Sequence, residues 1–252
     1  MQTFIQISDT HLGLPEATER WNRAMRLIAE RRPDFVLHTG DITERAETAE
    51  LAQAREGLAA LGIEWRMIPG NHDIGDGPPK GGGPDSGAVA RFEDAIGPTR
   101  FTYTLGTWTI IAFSGLELGT GGTAEADLWC WLDEKLGAAT GSVALALHKP
   151  VFVDRPDDQS ETSDQLPVSA RSRLWQRIVD SNVQLVLSGH RHTYRVLHRP
   201  PAICVWGPAL AGPPENTPPL AFAPSPPALL EYRVTEGSLH HQLVPLYDGS
   251  SS

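Results

Sequence analysis

The sequence predicts an α/β fold (α+β, once its antiparallel hairpins are counted) whose strands end in one shared site. Two observations carry this expectation. Over residues 3–68, short apolar runs alternate with amphipathic segments in the order β-α-β-α-β, which favours parallel strands joined by right-handed crossovers. Polar residues suited to metal or phosphate chemistry follow each strand: Asp9 and His11, then Asp41, then Asn71 and His72. Open α/β sheets place their sites at the carboxyl ends of strands.

Each element has a local reason. Residues 3–8 form a buried apolar strand. Trp21, Ala24, Met25 and Ile28 then fall on one face at helical spacing, until Pro33 ends the helix. Residues 34–38 make a second strand. A helix over 44–61 places Leu51, Ala54, Leu58 and Leu61 on one face, with Gly62 at its end. The third strand, 64–68, runs into Pro69-Gly70-Asn71-His72-Asp73, read as a loop in which Gly70 turns the chain and the next three side chains converge. Glycine and proline mark 75–87 as a loop and a candidate lid. Lys80 precedes its glycines instead of following them into a helix, which excludes a nucleotide P-loop.

A short helix follows at 88–96, then a hairpin of 101–105 and 108–114 turning at Gly106. Residues 123–136 form a helix with Leu128, Leu132 and Leu136 on one face and Thr123 as its cap. Strand 143–147 ends in His148, and the acidic stretch 154–164 reads as a solvated loop. Helix 171–179 leads to strand 183–187, which ends in Ser188-Gly189-His190-Arg191-His192. Residues 193–197 and 202–206 pair as a hairpin. Residues 207–227 are a proline-rich surface excursion, and strands 229–234 and 239–244 close the chain. No repeat and no boundary divides the sequence, so residues 1–252 read as a single domain.

Composition narrows the function. A net charge of -10 argues against a general binder of long nucleic acid or anionic membranes, which presents a basic face. It is compatible with an acidic pocket for cations. No apolar run reaches the length of a membrane span, and residues 4–7 are too short for an export signal. Cys130 and Cys204 stand in apolar surroundings, as buried free thiols rather than a disulfide, which makes a cytoplasmic home the expectation.

Of nine histidines, five directly follow predicted strands: His11, His72, His148, His190 and His192. His38, the last residue of its strand, reads as a hydrogen-bonding core histidine. His240 and His241 would face opposite sides of a strand and share no metal. The two-residue spacing of Asp9 with His11, and of His190 with His192, points both side chains of a pair the same way in extended chain. Carboxylate, carboxamide and imidazole donors without thiolate suit Mn, Fe, Co or Zn rather than calcium or a structural zinc. If Asp41 bridges, the set supplies enough bonds for two ions about 3.5–4 Å apart, with positions open for solvent and substrate. The surplus positive charge suits a phosphate, and such ions lower the pKa of bound water toward neutrality.

The ordered blocks Asp9-x-His11, Gly40-Asp41, Gly70-Asn71-His72-Asp73, His148 and Gly189-His190-x-His192 resemble the calcineurin-like metallophosphoesterase family. Within it, their spacing and the compact length are similar to the bacterial class III cyclic-nucleotide phosphodiesterases. The resemblance implies a four-layer α-β-β-α sandwich of two mixed β-sheets flanked by helices, with a dimetal site at the strand ends. It implies two divalent or mixed-valence transition-metal ions (Mn, Fe, Zn or Co). One would be held by Asp9, His11, Asp41 and His192, the other by Asp41, Asn71, His148 and His190. His72 would be no ligand but a catalytic residue near the phosphate, stabilising the transition state or protonating the leaving oxygen. Asp73 would steady the loop that aims Asn71 and His72. The implied reaction is hydrolysis of a phosphodiester, a 3′,5′-cyclic nucleotide first, by metal-bridging hydroxide. The implied partner is a small phosphoester, and a homodimer is allowed.

Two positions depart from the family's pattern. Lys149 stands where related phosphodiesterases often carry a second histidine or prolines, and Arg191 where the residue is usually apolar or small. Arg191 either turns to solvent or an acidic neighbour, or, like Lys149, reads a second anionic group on the substrate. Two other functions stay open. One is a glycerophosphodiesterase or phosphomonoesterase using the same site. The other is a non-catalytic scaffold, against which stands the presence of every ligand position.

Overall fold

The first three strands, β1 (Gln2–Ile7), β2 (Phe35–His38) and β3 (Glu64–Met67), lie parallel and side by side. In this computed structural model, residues 1–212, 225–235 and 238–247 are described. The crossovers are α1 (Ala17–Arg31) and α2 (Thr48–Ala59). α1 buries Trp21, Ala24, Met25 and Ile28, the face its spacing predicts. α2 begins at Thr48, four residues later than the periodicity suggests, because residues 43–47 are bound elsewhere. Thr43 is tied to Asp73 and Glu44 to His11, while the Glu50 carboxylate accepts from the N–H groups of Arg45 and Glu47 at 3.1 and 3.3 Å.

β3 leads into α3 (Asn71–Ile74), a single helical turn where a loop was expected. Gly70 stands at its N-terminus, and the Asp73 carboxylate reaches back to the Gly70 N–H at 2.8 Å. After α4 (Ser86–Ala95), the chain enters a second sheet through the antiparallel hairpin β4 (Arg100–Leu105) and β5 (Trp108–Phe113). Next come α5 (Thr123–Ala138), β6 (Ser142–Ala146), α6 (Val168–Val179), β7 (Val183–Ser188), β8 (Arg195–Arg199) and β9 (Ala202–Trp206), giving the order β4-β5-β6-β7-β9-β8. β10 (Ala228–Thr235) and β11 (Ser238–Pro245) return antiparallel to the first sheet, whose order is β11-β10-β1-β2-β3. Both sheets are mixed.

Three apolar clusters define four layers. One lies between the first sheet and α1, α2 and α4, a second between the sheets, and a third between the second sheet and α5 and α6. The middle cluster includes Phe4, Phe35, Leu37, Ile110, Leu185 and Tyr232, and Phe35 stacks on Tyr103 of the opposite sheet at 4.0 Å. This sandwich is the one the family resemblance implied.

Two smaller expectations are corrected. Thr123 is the first residue of α5, and Gly122 holds the cap position, since the Glu125 carboxylate already binds the Gly121 N–H. Cys130 is exposed, because α5 turns Leu128, Trp129 and Leu132 inward and leaves Cys130 on its outer side; Cys204 is buried as expected. Of the proline-rich stretch 207–227, residues 213–224 lie outside the described residues. No helix among the described residues is long and apolar enough to cross a membrane.

Phe35 is fully buried between the sheets. Phe35→Ala is expected to cost about 3–5 kcal/mol of stability, read as a lower urea midpoint with an unchanged slope. An unchanged midpoint would contradict the packing described.

Candidate metal centre

The carboxyl ends of β1, β2, β3, β6 and β7 meet at one edge of the sandwich and bring the sequence-predicted residues together. Two groups built on a buried aspartate form, each with potential ligand atoms within 4.8 Å of one another: Asp9, His11 and His192, and Asp41, His148 and His190; a third, of His11, Glu44 and His72, shares His11 with the first. Asp41 stands between the first two. Its Oδ2 is 3.2 Å from His148 Nε2 and 3.8 Å from His11 Nε2. Asn71 joins the second group with Oδ1 3.1 Å from His148 Nε2. In the first, His192 Nε2 lies 3.2 Å from His11 Nε2 and 3.6 Å from Asp9 Oδ1.

The backbone achieves this convergence differently from the strand alternation that the two-residue spacing suggests. Asp9, His11, Asp41, His190 and His192 all adopt left-handed conformations, with φ of 51°, 48°, 52°, 67° and 51°. They lie past the strand ends, where alternation no longer applies and the chain must fold over the sheet edge. Each such residue costs about 1–2 kcal/mol. Backbone hydrogen bonds offset that cost by zipping the loops together: Asp9 N–H to Gly40 O at 2.9 Å, His11 N–H to Asp41 O at 3.1 Å and Leu12 N–H to Ile42 O at 2.9 Å. Gly70 has an ordinary φ of −103°. It is required for another reason: a Cβ there would overlap the Asp41 carboxylate.

The imidazoles are oriented one by one. Nδ1 of His148 donates to Thr39 O at 2.9 Å and Nδ1 of His192 to Gly212 O at 2.8 Å, while Nδ1 of His11 meets Glu44 Oε2 at 2.8 Å. His190 is reversed, with Nε2 donating to Ser163 O at 2.9 Å. Each ring therefore spends one nitrogen on a protein acceptor and presents the other to the cluster, the arrangement by which outer partners fix a metal-binding histidine's tautomer. With two carboxylates and a carboxamide, this donor set fits two divalent cations.

Asp73 binds no cluster atom. Its carboxylate accepts from the N–H groups of Ile42, Thr43 and Gly70 and from the Thr43 hydroxyl, so it ties the Asp41 loop to α3 as expected. Glu44 is a site residue that the sequence reading missed. Its carboxylate is 3.5 Å from His72 Nδ1 as well as bound to His11, and its carbonyl accepts from His72 Nδ1 at 3.1 Å. The only signal was an acid three residues after Asp41, inside a stretch that read as helix.

The end of the acidic stretch 154–164 is also more than a solvated loop. Ser163 and Asp164 are half-buried, holding His190 through the Ser163 carbonyl and Arg191 through an ion pair with Asp164. Arg191 thus faces the acidic neighbour. Lys149 is only 2% exposed. Burial lowers its proton affinity, and the carboxylates of Asp76, Asp41 and Asp164 pull against that.

Burial opposes charge at this site, and pairing overcomes it at His148 and at His11, where burial disfavours the proton but the Glu44 hydrogen bond and nearby carboxylates raise the pKa. For His148, burial disfavours the proton, but the charge and hydrogen bond of Asp41 raise its pKa to about 9. Burial would raise Asp41, yet His148 and His11 hold it well below the usual carboxylate range. Burial pushes His190 and His192 down. His38, hydrogen-bonded to Thr10, is driven by burial to about 3, as suits the neutral core histidine the sequence predicts.

A double mixed sheet bearing joined carboxylate–imidazole groups at its strand ends defines a metal-dependent hydrolase. More narrowly, the chain belongs to the calcineurin-like phosphoesterase family, whose sequence model matches residues 2–194. It is 28% identical over 205 residues to a probable cyclic nucleotide phosphodiesterase of Synechococcus sp., covering 74% of this chain and 72% of that protein. It is 22% identical over 222 residues to the serine/threonine-protein phosphatase CPPED1 of Mus musculus, covering 75% and 69%. A dimetal phosphatase of Danio rerio shares the fold at 13% identity with a TM-score of 0.67, over 98% of this chain and 97% of that one.

Two outcomes follow from this geometry. The raised His148 pKa, from 6.5 to about 9, contributes stability below pH 6.5 that is lost as the pH rises through 9. Cation binding at pH 7 must then displace about one proton from His148, so the calorimetric enthalpy of Mn²⁺ binding should vary with the ionisation heat of the buffer; buffer-independent enthalpies would refute the Asp41–His148 pairing. Gly70→Ala should displace Asp41 and lower metal content measured by mass spectrometry, whereas full occupancy would show that the close approach is dispensable.

Proposed function

We propose that this protein hydrolyses phosphodiesters from a two-metal centre, with a 3′,5′-cyclic nucleotide as the first substrate to test. One observation carries the reading: Asp41 joins two donor groups, and His72 stands beside them in a third group with His11 and Glu44. Asp9, His11, Asp41 and His192 would hold one ion, and Asp41, Asn71, His148 and His190 the other. Two such ions supply Lewis-acid charge for phosphoryl oxygens and lower the pKa of water to make a nucleophile near neutral pH. The chain's own residues position and protonate. Asn71 and His72 share α3, so the turn that aims the carboxamide also aims the imidazole. Nδ1 of His72 is held on the Glu44 carbonyl, so Nε2 would hand a proton to the departing oxygen from the imidazolium form, with the Glu44 carboxylate 3.5 Å away to balance that charge.

The likeness to a probable cyclic nucleotide phosphodiesterase supports the diester reading. A phosphomonoesterase working from the same site is the second reading, supported by the likeness to a protein phosphatase. The exposed, unpaired Cys130 suits a reducing, cytoplasmic compartment. A single domain and a homodimer are carried over from the sequence reading and the family resemblance.

The test is a panel of cyclic nucleotides, glycerophosphodiesters and aryl phosphate monoesters, assayed with manganese on protein of measured metal content. Turnover of a diester is expected, and activity confined to monoesters would overturn the proposal. His72→Ala should keep its metals and lose about 10²–10⁴-fold in kcat. An unchanged kcat would remove His72 from the chemistry.

A further inference from the structure

The two departures from the family's pattern come apart in three dimensions. Arg191 is committed to Asp164. Lys149 is not committed to anything: its Nζ is enclosed and has no hydrogen-bond partner among the described residues. It follows His148 directly, just past the carboxyl end of β6, which places it on the Asp41 side of the centre. The carboxylates in its field are all engaged by other groups. Asp76 pairs with Lys80 at 2.9 Å, Asp164 with Arg191, and Asp41 with His148 and the His72 N–H.

A buried ammonium without a partner is costly, and an apolar side chain of similar volume fills the same space without that cost. A purely structural role therefore gives no reason for lysine here. An anion brought to the centre does. Lysine offers a compact charge on a flexible four-carbon stem, able to swing onto a phosphoryl oxygen as a point-charge contact.

We propose that Lys149 is a substrate-binding residue of this site, contacting a non-bridging phosphoryl oxygen on the Asp41, His148 and His190 side. The inference rests on the phosphoester reading of the site but is tested without turnover. The probe is inorganic phosphate, titrated calorimetrically into the metal-loaded protein and its Lys149→Met and Lys149→Gln variants. Both variants should keep the wild-type metal content, and Lys149→Met should melt no lower than wild type. Both should weaken phosphate binding about tenfold or more, the worth of one charge-assisted hydrogen bond. Lys149→Arg, which keeps the charge, should recover part of the loss.

Unchanged phosphate affinity in a folded variant would overturn the contact. So would a variant that loses metal or thermal stability while any protein still loaded binds phosphate normally, since that is the signature of a structural role. If Lys149→Met does not fold, Lys149→Gln decides on the same criteria. The two readings fail separately. Phosphate binding that depends on Lys149, in a protein that cleaves no ester, sustains the contact and overturns the hydrolase reading. Ester cleavage with unchanged phosphate affinity in the variants does the reverse.

Discussion

The contact between Asp41 and His148 is the constraint on which the rest of this structure depends. Asp41 follows a strand of the first sheet and His148 a strand of the second, so their 3.2 Å approach joins the two halves of the sandwich at the site. The surrounding residues keep both groups in place. Thr39 holds the far nitrogen of His148, the His72 N–H donates to Asp41 Oδ1 at 2.9 Å, and Gly70 leaves room for the carboxylate. A buried pair stripped of one partner leaves an uncompensated charge, worth about 3–5 kcal/mol. Two elements of unlike origin are thus coupled through one pair of side chains, and whatever binds there feels both sheets.

That coupling explains how a scaffold of ordinary packing can present a strained edge. The apolar clusters hold the strands, and the left-handed residues at Asp9, His11, Asp41, His190 and His192 lie beyond them. The strain is local, and a ladder of backbone hydrogen bonds between neighbouring loops supports it. Asp73 extends this support to α3, so Asn71 and His72 are aimed from the same framework that fixes Asp41. In the proposed reaction, the residues that would hold metal and the residue that would deliver a proton are positioned by one hydrogen-bond network.

Elements with their own periodicity were legible in the sequence. The buried face of α1, the β4–β5 hairpin and the parallel order of β1, β2 and β3 all follow from spacing and turn residues. The identities of the clustered residues were legible too, because each follows a strand. Their conformations were not. Left-handed backbone is commoner at aspartate and histidine than at most residues, but still too rare there for residue type to place it, and the i, i+2 argument assumed an extended chain that ends before the site begins. The late start of α2 and the role of Glu44 depend on contacts with Asp73, His11 and His72 that are about thirty residues distant. The acceptors on Thr39, Ser163 and Gly212 are backbone carbonyls, which every residue carries. Arg191 and Lys149 looked alike as departures from a pattern, and only burial and pairing separate them.

The most direct test of the central claim, that Asp41 joins two metal positions, is electron paramagnetic resonance of the manganese-loaded protein at defined stoichiometry. The account predicts two ions per chain with the spectrum of an exchange-coupled pair, converted to that of isolated ions in Asp41→Asn. A single ion per chain, or two ions giving only the uncoupled six-line spectrum in the unsubstituted protein, would contradict it.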